Sequence, residues 1–204
     1  LFFVGVPRGA PWTWPTPCFG ASGARPYRTV GDAILDLPPL DAGSSADAYC
    51  QDPTTDLQVM LRGDQTILLN HVSPTHPDAT IQRIASTKPG MPMYEAYRQR
   101  IRLHPDMPSP TQVSGGIRPQ FQFGHPTQPR GLTVRERARI QTFPDRYFFA
   151  GGVVQGRVQT GNAVPVILAK ELASHLRTIL ESETLPRGAS RSRARQDRLW
   201  DHVS

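Results

Sequence analysis

Residues 111–122 concentrate the side chains of this sequence that are best suited to reading a polar ligand. The run Thr111-Gln112-Val113-Ser114-Gly115-Gly116-Ile117-Arg118-Pro119-Gln120-Phe121-Gln122 sets three amides, one guanidinium and two hydroxyls around a Gly-Gly loop. An arginine matches guanine with a two-pronged donor and a glutamine amide matches adenine, both in the major groove of DNA. A structural turn between strands is the other reading of the same segment. A second stretch, Gln159-Thr160-Gly161-Asn162-Ala163-Val164-Pro165, reads as a glycine-asparagine turn leading into a helix at Pro165. A helix entrance presents backbone N–H groups to a ligand or partner. Metal chemistry is poorly supplied: His71 and His76 have no carboxylate or thiol at ligand spacing, so they read as hydrogen-bonding loop histidines. Cys18 and Cys50 stand far apart and outside any Cys/His cluster, which argues against a zinc site and a disulfide framework.

The elements that must position these residues are mostly short helices. Thr133 and Glu136 form a capping box, which predicts a helix from Val134 to about Thr142, with Pro144 barring its continuation. From Pro165 onward, Ile167, Leu168, Leu172, Leu176, Ile179 and Leu180 recur at helical spacing, which predicts one buried face. Upstream, residues 1–6 are apolar and read as a buried strand. Residues 7–26 are a Pro-rich loop that Trp12, Trp14 and Phe19 should pack down. A helix starts at Thr29, with Asp32 completing its cap, Val30, Ala33, Ile34 and Leu37 inward, and Pro38-Pro39 ending it. Gly43-Ser44-Ser45 marks a turn. Residues 57–62 form a short helix, and another carries Ile81 and Ile84. Arg98, Arg100 and Arg102 alternate with Gln99, Ile101 and Leu103, the period of a strand with an arginine face. After Leu180 the periodicity is lost, and residues 190–195 lie in a polar tail.

Composition sets the limits. With 38% hydrophobic residues among 204 a core is possible, while 21 prolines and 17 glycines make much of the chain loop. The net charge is +6, and residues 98–139, with eight arginines against Asp106 and Glu136, account for all of it. Such a concentration suits phosphate binding; a solvated basic face is the other reading. No apolar run is long enough to span a membrane, and no signal peptide is visible.

Two of these stretches carry a resemblance. Leu132-Thr133-x-Arg135-Glu136-x-Ala138-Arg139-x-Gln141-x-Phe143-Pro144-Asp145 resembles motif IX of the DNA cytosine-5 methyltransferases. Gln159-x-Gly161-Asn162-Ala163-Val164-Pro165 resembles their motif X, in the right order and at the right separation. The resemblance covers about residues 1–180 and is to the bacterial restriction-modification type. It implies an α/β fold class: the C-terminal portion of a Rossmann-like S-adenosylmethionine-dependent methyltransferase plus a small, mixed, loop-rich target-recognition domain. Residues 1–40 would end the catalytic domain with the motif VIII strand and the helix after it. Residues 41–130 would be the target-recognition domain, residues 131–180 would carry motifs IX and X back to the catalytic domain, and residues 181–204 would be a disordered tail.

The implied reaction is methyl transfer from S-adenosylmethionine to C5 of a cytosine flipped out of a specific duplex site. In the family a Pro-Cys thiolate attacks C6, a glutamate of Glu-Asn-Val assists, and a Phe-x-Gly-x-Gly loop meets the cofactor. All three precede motif VIII and none occurs here, and the motif VIII arginines are absent as well. The resemblance therefore assigns no catalytic residue to this chain, and Pro17-Cys18, which follows the motif VIII strand, is no counterpart of the nucleophile. Asn162 and Ala163 would line an incomplete cofactor pocket. Thr111 would grip the phosphate beside the flipped base, with Gln112 standing where the family has an aliphatic residue. Ser114, Gly115, Gly116, Arg118, Gln120 and Gln122 would complete the DNA-facing set, and Arg135 and Glu136 would brace the recognition domain. The implied partners are double-stranded DNA and the N-terminal catalytic half, in the same polypeptide or as a separate subunit, in a bacterial cytoplasm. The alternative is a stand-alone or remnant DNA-binding module without catalysis.

Overall fold

The computed structural model describes residues 2–7, 9–114 and 122–181, which fall into two compact units. The larger is Pro17–Ala169; the smaller joins Leu1–Thr16 to Lys170–Ser204. Among the described residues six helices follow in order: α1 (Val30–Ile34), α2 (Asp56–Arg62), α3 (Asp78–Ser86), α4 (Val134–Ile140), α5 (Val153–Asn162) and α6 (Val166–Glu181). Helices of five to seven residues are too short to hold themselves together in water, so caps and packing must sustain them. Three complete capping boxes do part of this, Thr29 with Asp32, Thr55 with Gln58 and Thr133 with Glu136. Their apolar faces do the rest. Val30, Ala33, Ile34 and Leu37 meet Leu57 and Leu61, and Leu68, Leu103, Phe123 and Leu132 close the core around them.

α4 is the hub of this unit. It packs against α1 and against α5, and every one of its residues except Ile140 is buried. Its buried arginines correct the phosphate-face reading of residues 98–139. Of those eight arginines, Arg100, Arg130, Arg135, Arg137 and Arg139 are buried, and Arg102 is turned inward. Arg130 clamps Glu136 through Nη1 to Oε2 at 2.9 Å and Nη2 to Oε1 at 2.6 Å. Arg139 donates to Asp145 and to Asp36, and Asp145 also accepts from the Tyr49 hydroxyl at 2.6 Å. Arg135 donates to the carbonyls of Leu69, Pro144 and Tyr147. A buried guanidinium demands such partners, and the short acid-bearing loops around α4 bring them.

Sheet structure is where expectation and observation part. Among the described residues there are isolated bridges, such as Ser45 with Val72 and Arg102 with Gly124, and no strand. Residues 2–6 do not form the expected buried strand, and the Phe3 side chain is 92% exposed. A strand exists only through the ladder of a neighbour, and the described residues offer none beside it. Residues 98–103 likewise make only bridges at Ile101 and Arg102. Arg102 is not on an exposed cationic face: its Nη1 donates to the carbonyls of Ile84, Ala85 and Thr87 and so closes the C-terminal end of α3. Trp14 is exposed rather than packed down; Trp12 meets it edge-on at 5.5 Å. In α6 the apolar spacing is present, but the stripe is only half-buried: Ile167 packs against the main core, and no described residue of the helix is fully buried. No described helix is long and apolar enough to cross a membrane.

Two expectations about stability follow from the α4 network. Burial alone pushes the Glu136 carboxyl up, but His125 and the Arg130 guanidinium outweigh it and bring it down to about 2. Glu136→Ala strands the Arg130 charge and should cost about 3–5 kcal/mol, read by chemical denaturation. A loss under about 1 kcal/mol would show that water reaches Arg130 in the folded state. His125 is held neutral by its surroundings. Its Nδ1 accepts the backbone N–H groups of Thr127 and Gln128, and burial takes the imidazole down to about 4. The unfolded chain then binds the proton first, so the stabilisation is fully present above about pH 6.5 and is lost as pH falls toward 4. His125→Asn keeps an acceptor oxygen and should flatten the pH dependence of the unfolding free energy in that window; an unchanged slope would exclude His125 as its source.

Candidate functional site

A cleft of about 780 Å³ opens in the larger unit, and it gathers several of the residues singled out in the sequence. Thr111, Gln112, Gln141, Thr142, Gly161, Ala163 and Pro165 line it. Phe19, Arg25 and Arg28 line it as well. The 111–112 and 161–165 stretches therefore meet in one place.

Gly161 is what lets them meet. A Cβ there would lie 2.5 Å from the Ser114 nitrogen and 2.5 Å from the Val113 carbonyl carbon, so the recognition segment crosses directly over this residue. The glycine is needed for space, which distinguishes it from Gly151, whose φ of 90° sets the turn before α5. Arg137 secures the crossing. Its Nε donates to Thr160 Oγ1 at 3.1 Å and its Nη2 to the Val113 carbonyl at 3.3 Å, while its own carbonyl accepts Gln112 Nε2 at 2.9 Å.

The stretch 159–165 differs from the expected turn. Residues through Asn162 complete α5, a helix that sequence reading missed because VVQGRVQTGN combines two glycines with β-branched residues of low helix propensity. Ala163 is extended and links α5 to α6. The N–H groups at the start of α6 are also not free for a ligand. The Val166 N–H donates to the Gln141 carbonyl at 3.2 Å and the Ile167 N–H to Thr142 Oγ1 at 3.0 Å. Thr142 adopts a φ of 59°, unusual for a β-branched residue, and that conformation accompanies its hydroxyl cap on α6. The end of the motif IX stretch thus seats the start of the motif X helix.

The remaining site residues divide by exposure. Thr111 is exposed and Ser114 is half-buried. Gln112 is buried with its amide nitrogen engaged by Arg137. The Gln122 amide is spent on the base of the loop, donating to the Thr111 carbonyl and accepting from the Val113 N–H. Gly115, Gly116, Arg118 and Gln120 lie outside the described residues. Asn162 is exposed and Ala163 half-buried. Arg135 and Glu136 brace α4 from within, as their capping and pairing demand. His71 spans Thr133 Oγ1, whose hydroxyl donates to Nδ1, and the Pro38 carbonyl, to which Nε2–H donates. His76 accepts the Gly131 N–H. Both histidines are shifted down from the ordinary imidazole value, mainly by burial. No metal-holding cluster occurs among the described residues, and Cys18 and Cys50 are exposed and not joined in a disulfide. Sequence reading gave Phe19 only a packing role and did not single out Arg25 and Arg28; the loop of Phe19 and Arg25 closes through hydrogen bonds between Cys18, Gly20 and Arg25, and no motif marks it.

Comparison with known proteins gives the family. The model of the C-5 cytosine-specific DNA methylases matches residues 49–178, and the chain belongs to that family. It is 32% identical to the type II methyltransferase M1.HphI of Haemophilus parahaemolyticus over 183 residues, 85% of this chain and 41% of the relative. It is 31% identical to the type II methyltransferase M.DdeI of Desulfomicrobium norvegicum, over 78% of this chain and 45% of that protein. The chain thus spans well under half the length of these relatives. Among solved structures, an E. coli prophage protein assigned as a DNA modification methyltransferase superposes with a TM-score of 0.62 at 25% identity, over 78% of this chain and 49% of that one. The fold is that of a DNA methyltransferase.

The crossing at Gly161 can be tested. Gly161→Ala forces backbone against backbone and should destabilise the chain by about 1–3 kcal/mol, with the NMR shifts of Val113 and Ser114 moving most. An unchanged denaturation midpoint would show that the two segments can part without cost.

Proposed function

We propose that this chain forms the target-recognition and cofactor-closing part of a DNA (cytosine-5) methyltransferase, completed by an N-terminal catalytic half in the same polypeptide or in a separate subunit. The meeting of Thr111 and Gln112 with Gly161 and Ala163 in one cleft carries this reading, because such an enzyme must bring DNA and methyl donor together. In it, residues 1–40 end the catalytic domain of a Rossmann-like α/β fold, residues 41–130 form the recognition domain, and residues 131–180 return to the catalytic domain. The apolar stripe of α6, only half-buried among the described residues, suits that return. Thr111 and Ser114, with Gly115, Gly116, Arg118 and Gln120 beyond them, face double-stranded DNA. Gln112 and Gln122 hold the base of that loop in place.

S-adenosylmethionine supplies the methyl group when bound. The residues present fit one edge of it: Ala163 lies in the cleft and Asn162 is exposed, while the first N–H groups of α6 are already engaged. This chain orients the donor and the recognition loop; the nucleophile belongs to the other half. Bacterial cytoplasm is the compartment where such an enzyme meets its DNA.

By calorimetry the isolated chain should bind S-adenosylmethionine too weakly to measure. Adding the catalytic half should create the site, and Asn162→Ala should then weaken it. In the reconstituted enzyme Cys18→Ser should retain methyl transfer, and 5-fluorocytosine DNA should trap the catalytic half. Tight cofactor binding by the isolated chain, or an adduct on Cys18, would overturn the reading. Specific DNA binding with no gain from the other half would favour a stand-alone DNA-binding module.

A further inference from the structure

Among the described residues six arginines of the larger unit are buried, and four of them lie against a carboxylate or an aromatic ring. Arg130, Arg135 and Arg139 lie against carboxylates, and the Arg100 guanidinium stands 4.5 Å from the Tyr97 ring centre. Arg137 and Arg157 are different. They share the wall of a small recess with Gln122 and the apolar Leu132, Val134 and Val153. Neither forms an ion pair with any carboxylate among the described residues. Residues 115–121, which join Ser114 to Gln122, contain no Asp or Glu. The Arg157 Nε is buried and has no hydrogen-bond partner. Two cations of like sign between apolar walls repel each other more strongly than they would in water. The missing component is an anion.

The geometry limits what that anion can be. The recess has a volume of about 20 Å³, room for one oxygen atom and not for a whole oxyanion. Its position is set by the recognition segment, since Arg137 Nη2 holds the Val113 carbonyl and Gln122 bonds both Thr111 and Val113. We propose that Arg157, seated beside Arg137, receives one non-bridging oxygen of a DNA phosphodiester next to the recognition segment. A phosphodiester offers such an oxygen on a strand that continues past the recess on both sides, and arginine is the side chain suited to it. The site fixes the register of the DNA and reads no base. Burial, and then the neighbouring Arg157 charge, takes the Arg137 guanidinium down to about 10, and an anion in the recess would relieve both effects. The inference rests on the DNA reading of the cleft.

The test is the salt dependence of DNA binding by the full 204-residue chain. A mixed-sequence duplex of about 20 base pairs is titrated at several KCl concentrations, and log K is plotted against log salt. Removing one phosphate-binding cation should lower the slope by about 0.9. Arg157→Gln should reduce the slope by about that amount, while Arg157→Lys, which keeps the charge, should preserve it. Without DNA, Arg157→Gln should melt no lower than the wild type, because it removes one of two repelling charges. A lower melting temperature with an unchanged slope would make Arg157 a structural residue and overturn the inference alone. Failure of the wild-type chain to bind any duplex would overturn both the inference and the function it rests on. If Arg157→Gln does not fold, Arg157→Met, which keeps the packed stem, carries the same comparison.

Discussion

The larger unit is built around buried guanidinium groups. A charged side chain taken out of water is costly unless donors and acceptors are closely matched to it. α4 nevertheless carries Arg135, Arg137 and Arg139, and Arg130 precedes it. Their partners come from distant parts of the chain: Asp36 and the Ala33 carbonyl from the region of α1, Leu69 from the loop before α3, and Asp145 from the loop after α4. A small apolar core packs around this network but does not by itself dictate how α1, α2 and α4 are arranged. The hydrogen-bonding geometry of the arginines admits few alternatives, and that is what makes a proline-rich, strand-poor chain adopt one arrangement.

The same helix links structure to site. Its cap, Thr133, connects through His71 to Pro38, Gln141 and Thr142 just beyond its end seat the start of α6, and Arg137 on its flank holds residues 112–113 by Gly161. A displacement of α4 would therefore move both walls of the cleft. Arg135 and Glu136, buried away from the cleft, fix the helix on which the cleft-lining residues depend.

The chain spans less than half the length of its type II relatives. Within the described residues the stripe of α6 is half-buried, with Ile167 against the main core, and residues 2–6 have the composition of a strand without a ladder.

Local chemistry was legible from the sequence. The capping boxes at Thr29 and Thr133, the stops at Pro38 and Pro144, and the helical stripe after Pro165 depend on residues within a few positions of one another, and the helices lie where those signals put them. The family was legible because motifs IX and X preserve such local patterns. What only the tertiary structure decided was the destination of side chains whose partners are far away. Eight arginines in 42 residues look like a phosphate-binding face until Asp36, Glu136, Asp145 and backbone carbonyls are seen to enclose five of them. Gln122 looks like a base reader until its amide is seen closing its own loop. α5 carried no local signal because its glycines answer to packing: a Cβ at Gly156 would meet Val134 at 2.6 Å, and one at Gly161 would meet Ser114. Charge and amide groups have no periodicity to betray them, and a guanidinium is committed to solvent, ligand or core only by the acceptors that the fold brings within about 3 Å.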